Sequence, residues 1–364
     1  MIFARTQGSS PAPTVELPDL PASWYIALRS QDLGSRPQPL QLFSRLLVAW
    51  RDRRGQPVIM PRHCPHQGAS LALGKIMDGC IRCPFHHWRF DATGKCVDIP
   101  GIERIPVIAR QPVYPVVERY GFVWAWYGSE APLFPLPSFP PLDDDRDQYM
   151  AYRFTDTTPA TVRRVLENAY DHHHFVTLHG VHAAQPLTLT LLSDQAAARD
   201  NGPPIAAEAW SGAMLECPML EPPTVLRALG MKAKKFRVLI DGWPTGQRFT
   251  FFVDDRVIAK ELLGVTPIGP GETIQRGWAM VKKTGARWLD ALYYLLYHHE
   301  HRAGTRQDLA IYRSARRDGA DVPVKYDRGL IKFREHYQRW VERADASDRA
   351  DGTAADRPGA AEWR

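Results

Sequence analysis

Cysteine is scarce in this chain: five in 364 residues, an odd number with no disulfide framework to suggest an oxidising compartment. Reduced thiols are the expectation, and with them a cytoplasmic location. Long apolar runs are missing too. A membrane-spanning helix needs about 20 apolar residues, and the nearest run, Trp288 to Tyr297, is short and includes Asp290. No membrane partner is expected. No basic stretch followed by an apolar core opens the chain, so a signal peptide is not expected either. Internal repeats are absent. The net charge of +6 and pI near 9.1 raise the question of nucleic acid, but the basic residues are scattered apart from Lys232, Lys234, Lys235 and Arg237, and no nucleic-acid motif accompanies them. That cluster reads as a solvated face or as a docking patch for an acidic protein. A hydrophobic content of 44% and a charged content of 24% are those of a globular protein with room for about two domains.

What is there begins with Cys64-Pro65-His66, then sixteen residues, then Cys83-Pro84-Phe85-His86. Two thiolates and two imidazoles at this spacing are the ligand set of a Rieske 2Fe-2S cluster, in which Cys64 and Cys83 hold one iron and His66 and His86 the other. Neutral imidazole gives less charge than thiolate, so the reduced cluster forms more easily, at roughly −150 to +300 mV against about −400 mV for all-Cys plant-type clusters. A structural zinc site uses the same atoms, but zinc fingers group Cys with Cys and His with His, whereas each half here mixes them. Gly68, Gly74 and Gly79 permit tight loops, and Phe85, Trp88 and Phe90 can keep water from the cluster. His87 has the wrong spacing and reads as a surface group or as one that supports the cluster from outside its ligands. Cys80, Cys96 and Cys217 fall into no pattern.

Around the motif the chain reads as short strands: Ser23 to Leu28, Leu40 to Trp50, Pro57 to Arg62, Val113 to Val117 and Tyr120 to Tyr127. The run Phe122-Val123-Trp124-Ala125-Trp126 alternates as a half-buried strand does. Residues 131–141 hold five prolines, a composition that excludes regular strand or helix and predicts a stiff linker. The division is therefore 1–14 flexible, 15–130 a Rieske domain, 131–145 linker, 146–343 a second domain, and 344–364 a disordered Ala/Asp/Arg-rich tail. In the second domain a helix is predicted from near Thr158 to about Leu178, and residues 180–230 read as irregular. Strands are predicted over Phe236–Ile240, Gln247–Val253, Arg256–Thr266 and Thr273–Lys283. Helices are predicted over Trp288–Arg302, Thr305–Arg317 and Tyr326–Arg343.

An electron carrier needs only the first domain. The second contains Asn168-x2-Asp171-x2-His174-x4-His179. Two imidazoles and a carboxylate on one face of an iron leave the other face open for dioxygen and substrate, the arrangement of non-heme Fe(II) oxygenases. His174 and His179 are the expected imidazole ligands. Five residues is about 140° around a helix, so a π-bulge or break is predicted between them. His172, His173 and His182 crowd the region without the spacing. Asp171, one helical turn before His174, is predicted to accept its imidazole N–H. For the carboxylate ligand the choice is Asp308 at the start of a helical stretch, with Glu300, Asp290 and Asp318 as rivals that periodicity does not exclude.

These two motifs make the chain resemble the Rieske non-heme iron oxygenases in their α-subunit or single-component form. The likeness runs from about Trp24 to Trp340, through Ser23-Trp24-Tyr25, Arg62-His63-Cys64, Asp78-Gly79-Cys80-Ile81, Glu118-Arg119-Tyr120-Gly121, Glu167-Asn168, Tyr170-Asp171, Lys325-Tyr326-Asp327 and Arg339-Trp340-Val341. Within the family the chain is most similar to members that oxidise an arylamine to a nitroarene, although Asp171 to His179 and residues 185–230 depart from them. The resemblance implies an α+β fold, an all-β Rieske domain followed by a helix-grip (START-like) catalytic domain with an antiparallel sheet. It also implies a homotrimer in which Asp171 bridges the cluster of one subunit to His174 of the next, Asp308 as the carboxylate ligand, and Asn168 beside the iron. Electrons would come from NAD(P)H through a flavin reductase or ferredoxin, the oxidant would be dioxygen, and the substrate a small arylamine. The reading from another class is a Rieske electron-transfer protein without oxygenase activity.

Overall fold

In the computed structural model the described residues run from 20 to 355, apart from 44, 181–182, 184–186, 220–232, 270 and 316–320, with side chains described as far as 344. His182, Lys232, Asp318 and the segments 1–14 and 356–364 lie outside them. The architecture is α+β. Among the described residues no helix is long and apolar enough to cross a membrane.

The first part is built from ten short strands: β1 (Ser23–Arg29), β2 (Gln38–Leu42), β3 (Arg45–Arg51), β4 (Pro57–Pro61), β5 (Lys75–Met77), β6 (Cys80–Arg82), β7 (Arg89–Phe90), β8 (Cys96–Asp98), β9 (Val116–Arg119) and β10 (Phe122–Tyr127). They form three antiparallel sheets, ordered β1-β10-β9, β2-β3-β4 and β5-β6-β7-β8. The single strand predicted over Leu40–Trp50 is a hairpin, β2 and β3. Strand β10 is buried on both faces, not one. Its Phe122, Trp124 and Trp126 enter one core while Val123 and Ala125 enter another, because the strand lies between the two halves of the molecule.

The proline-rich segment is part of that junction. Phe134, Leu136 and Phe139 are buried with Trp24, Trp126, Trp243 and Trp340 in one core drawn from both sides of the segment. Edge-on ring pairs of Trp24 with Trp126 (5.5 Å) and Phe134 with Trp340 (5.2 Å) add to the burial. Pro140–Asp143 forms a helical turn, α1, contrary to the expectation of no helix. Proline at the first helical positions lacks an N–H that would have had no partner there.

Beyond it come β11 (Tyr149–Thr158), α2 (Val162–Glu167), α3 (His173–Thr177), β12 (Thr188–Leu191), β13 (Ser211–Pro218), β14 (Lys235–Trp243), β15 (Gly246–Val253), β16 (Arg256–Gly269), β17 (Glu272–Lys282), α4 (Arg287–Ser314) and α5 (Arg328–Ala355). The seven strands form one antiparallel sheet in the order β11-β17-β16-β15-β14-β13-β12. Two strands, β12 and β13, occupy part of the stretch read as irregular. The long helix read at 158–178 is broken: α2 ends at Glu167, a 3-10 turn covers Asn168–Tyr170, and α3 starts at His173. The two helices predicted on either side of residues 303–304 are one 28-residue helix, α4. An isolated glycine costs about 1 kcal/mol in a helix and does not break it. Helix α5 continues to Ala355, twelve residues into the stretch expected to be disordered, where five alanines favour helix.

Candidate functional site

The two cysteine-histidine half-motifs sit on neighbouring loops. In the first, the Cys64 N–H donates to the Ala69 carbonyl (2.9 Å) and the Gly68 N–H to the Cys64 carbonyl (2.9 Å). In the second, the Cys83 N–H donates to the Trp88 carbonyl (2.8 Å). Gly68 has φ +73°, and a side chain on Gly74 would meet the Arg82 carbonyl oxygen at 2.1 Å, so both positions require glycine. The loops point Cys64 and Cys83 inward, where both are buried, and leave His66 and His86 at the surface. The imidazole rings lie 4.6 Å apart, with Trp88 stacked on His66 at 4.5 Å. Phe85, expected as a shield, is 59% exposed and leans on His86 from outside. His87, at φ 61°, is exposed as expected.

Burial, with a smaller push from the neighbouring Cys83, raises the Cys64 thiol to about 12 against the lowering effect of the His66 backbone N–H. Two buried thiols side by side are a donor set that a cationic centre would bind as thiolates. The inward cysteines and outward histidines fit a Rieske cluster.

The second group is assembled from α3 and α4. The Thr161 hydroxyl caps α2, accepting from the Arg164 N–H (3.3 Å). Glu167, 2% exposed, anchors the end of that helix by accepting from Arg334 Nε (2.6 Å) and Nη2 (2.8 Å) on α5. Tyr170 stacks on Phe333 at 4.8 Å and bonds Ser211 Oγ at 2.9 Å. The turn bearing Asn168 and Asp171 is thereby fixed to α5 and β13. The His179 N–H then reaches back to the His174 carbonyl at 3.2 Å, an i to i+5 closure of π type, while the Leu178 N–H shares the same acceptor. That wider turn brings the two rings to 5.0 Å.

Ligand atoms of His174, His179 and Asp308 all lie within 4.8 Å of one another, close enough to share one ion, and His179 Nε2 is 3.4 Å from Asp308 Oδ1. The tautomers follow from the partners. His174 Nδ1 bonds the Asp171 main-chain carbonyl, and His179 Nδ1 bonds Gln307 Oε1 at 2.8 Å. Carbonyl oxygens only accept, so both Nδ1 atoms carry the proton and both Nε2 atoms are free to coordinate. Asn168 Nδ2 stands 3.4 Å from His174 Nε2. Burial holds the His174 imidazole below its usual value, and the neighbouring Asp308 carboxylate raises that of His179.

One expectation needs correcting. The Asp171 carboxylate does not take the His174 imidazole; it accepts the His173 N–H at 3.1 Å, and its main-chain carbonyl takes the imidazole instead. Asp171 lies outside α3, in extended conformation, so the shared helical face does not exist. Of the rivals to Asp308, Asp290 is engaged by the Thr284 N–H (2.6 Å) and hydroxyl (2.7 Å), and Glu300 is exposed. His173 packs on Tyr326 at 4.1 Å, away from the group. Asn168, Asp171, His174, Asp308 and Tyr312 border an open cavity of about 360 Å³. Sequence reading missed Gln307, for which adjacency to Asp308 was the only signal.

The sequence profile of the Rieske [2Fe-2S] domain matches residues 23–115. Over 341 residues, 91% of this chain and 93% of the other, the chain is 39% identical to aminopyrrolnitrin oxygenase PrnD of Pseudomonas fluorescens. The chain belongs to the Rieske non-heme iron oxygenases. Such an oxidoreductase carries a Rieske 2Fe-2S cluster and a non-heme iron. More distant Rieske oxygenases match over shorter stretches: the 3-chlorobenzoate-3,4-dioxygenase oxygenase subunit of Comamonas testosteroni is 35% identical over 170 residues, 44% of this chain and 38% of that one. The fold is shared with dicamba monooxygenase bound to dicamba, at TM-score 0.65 and 17% identity over 89% of this chain and 98% of that one.

Proposed function

We propose that this Rieske oxygenase oxidises the amino group of an arylamine to a nitro group. The observation that carries the reading is the grouping of His174, His179 and Asp308 in a chain 39% identical along nearly its whole length to an aminopyrrolnitrin oxygenase. In this reading Cys64, His66, Cys83 and His86 hold the cluster, and the three residues above hold Fe(II), with 15–130 and 146–343 as the two domains. The iron supplies the activation of dioxygen, with electrons passed from the cluster.

The chain's own residues do the rest. Gln307 and the Asp171 carbonyl fix the two imidazoles, Asn168 places an amide donor beside His174, and Tyr312 and Ile311 border the approach. In this reading the half-buried Asp171 carboxylate bridges to a cluster histidine of a neighbouring subunit in a homotrimer. A reductase drawing on NAD(P)H, directly or through a ferredoxin, supplies the electrons from the cytoplasm.

Product mass after turnover under labelled dioxygen, with a flavin reductase and an arylamine panel that includes 2-arylpyrrole anilines, tests the reading. Gain of two labelled oxygens with loss of two hydrogens is expected. Gain of one oxygen on carbon, or loss of hydrogens alone, would replace N-oxygenation with hydroxylation or ring closure.

A further inference from the structure

On the sheet face turned toward α4, one carboxylate sits in a row of otherwise apolar and aromatic side chains. Strand register sets Tyr152, Ala279, Glu261 and Phe249 in a single row across β11, β17, β16 and β15, so their side chains share a face. Glu261 is 8% exposed, and among the described residues no lysine or arginine pairs with it. Its Oε1 accepts the Tyr297 hydroxyl at 2.8 Å, and His301 Nε2 stands 3.7 Å away. The other nitrogen of His301 is held by the Tyr152 hydroxyl at 3.0 Å. A carboxylate largely taken from water and met by a hydroxyl and an imidazole rather than by a lysine or arginine is costly to bury.

The helix does not close over this row. Along 28 residues of α4 only Asp290, Leu309 and Tyr312 are buried, while Tyr297, His301, Phe249 and Phe251 all stay partly exposed. Solvent therefore still reaches parts of this row. His301 and Asp308 are seven residues apart, two turns on one face, or about 10 Å along the axis. Gly304 lies between them on that face, and a side chain there would reach within 3.7 Å of the His179 ring. At Gly304 the helix therefore presents no side chain between His301 and Asp308 on that face.

We infer that Glu261, steadied by Tyr297 and His301, anchors the far end of the substrate: an aromatic amine bearing a second N–H or O–H donor up to about 10 Å from the nitrogen that reacts. The inference rests on the arylamine reading above. An apolar surface selects by shape alone, whereas one carboxylate on it penalises any ligand that leaves it unpaired.

The test is equilibrium binding to the intact, iron-loaded enzyme without dioxygen, read by calorimetry, so that no turnover is needed. The probes are a biaryl amine with a ring N–H on the distal ring and its isostere with ring oxygen in that place. Wild type should bind the N–H compound about ten- to a hundredfold more tightly, the worth of one charge-assisted hydrogen bond. Glu261→Leu should erase the preference, Glu261→Gln should keep a reduced part of it, and Tyr297→Phe, which leaves the carboxylate in place, should retain it. Equal binding of both probes by wild type would overturn the anchor and leave the arylamine reading standing. Binding of neither would overturn both. A preference lost equally in Glu261→Leu and Tyr297→Phe would make the row a packing feature, which also overturns the anchor.

Discussion

Replacing Gln307 with leucine should weaken metal binding at His174, His179 and Asp308 about tenfold without touching the Rieske cluster. Gln307 Oε1 accepts from His179 Nδ1 at 2.8 Å, and this bond fixes both the tautomer and the tilt of the ring that presents Nε2 toward Asp308. Loss of such an outer partner costs about 10- to 100-fold in metal affinity. Because Gln307 is exposed, water can replace part of the lost bond, which places the loss at the lower end, ~1.4 kcal/mol. Gln307→Glu puts a stronger acceptor in the same place and should bind metal at least as well as wild type. The assay is anaerobic competition for Fe(II) or Co(II) against a chelator of known affinity, with the cluster's visible absorption in the same sample as the standard for intact protein. Affinity of the leucine variant within twofold of wild type would refute the reasoning. So would a fall matched by loss of the cluster.

Asp308→Ala should remove one iron per chain and keep the cluster absorption, whereas Cys83→Ser should do the reverse; metal analysis and optical spectra on the same preparations decide both. Asp241 and Arg248, each 1% exposed, pair at 2.6 Å, and Asn201 and Trp210 also donate to the Asp241 carboxylate. Asp241→Asn leaves a buried guanidinium uncompensated and should cost about 3–5 kcal/mol in denaturant unfolding. Burial, with Arg339 and Arg343 nearby, lowers His336 from 6.5 to about 4. The unfolded chain then takes up this proton near pH 6.5 while the folded chain resists until about pH 4, so stability should fall by ~3 kcal/mol as pH drops through that window. His336→Gln should flatten that part of the melting profile.

The cluster loops were legible because their information is local. The four candidate ligands fall within 23 residues, and the turns between them need glycine at Gly68, Gly74 and Gly79. His174 and His179 were legible for the same reason, and even the i to i+5 closure follows from asking how five residues can serve one ion. Asp308 was a choice among four carboxylates, because 128 residues separate it from His179 and α4 alone decides which acid arrives. Strands β12 and β13 were hidden in a proline-rich stretch whose pairing is fixed by the neighbouring strand β14 rather than by its own alternation.

Gly304 and Glu261 are the sharper cases. Sequence rules read Gly304 as a helix break, since glycine lowers helix propensity wherever it occurs; only the structure shows that the His179 ring lies against it, within contact of where a side chain would begin. Glu261 reads as one acid in an alternating strand and becomes distinctive only when six other strands fix which face is apolar and α4 brings Tyr297 and His301 over it. Metal ligands must converge on one ion, and that demand leaves a spacing in the sequence. A residue that meets the far end of a substrate has no such demand on its neighbours. In this chain the chemistry is therefore written locally, while the choice of what undergoes it depends on strand register and helix placement, so substitutions at Glu261 and Gly304 should alter selectivity more than they alter metal content.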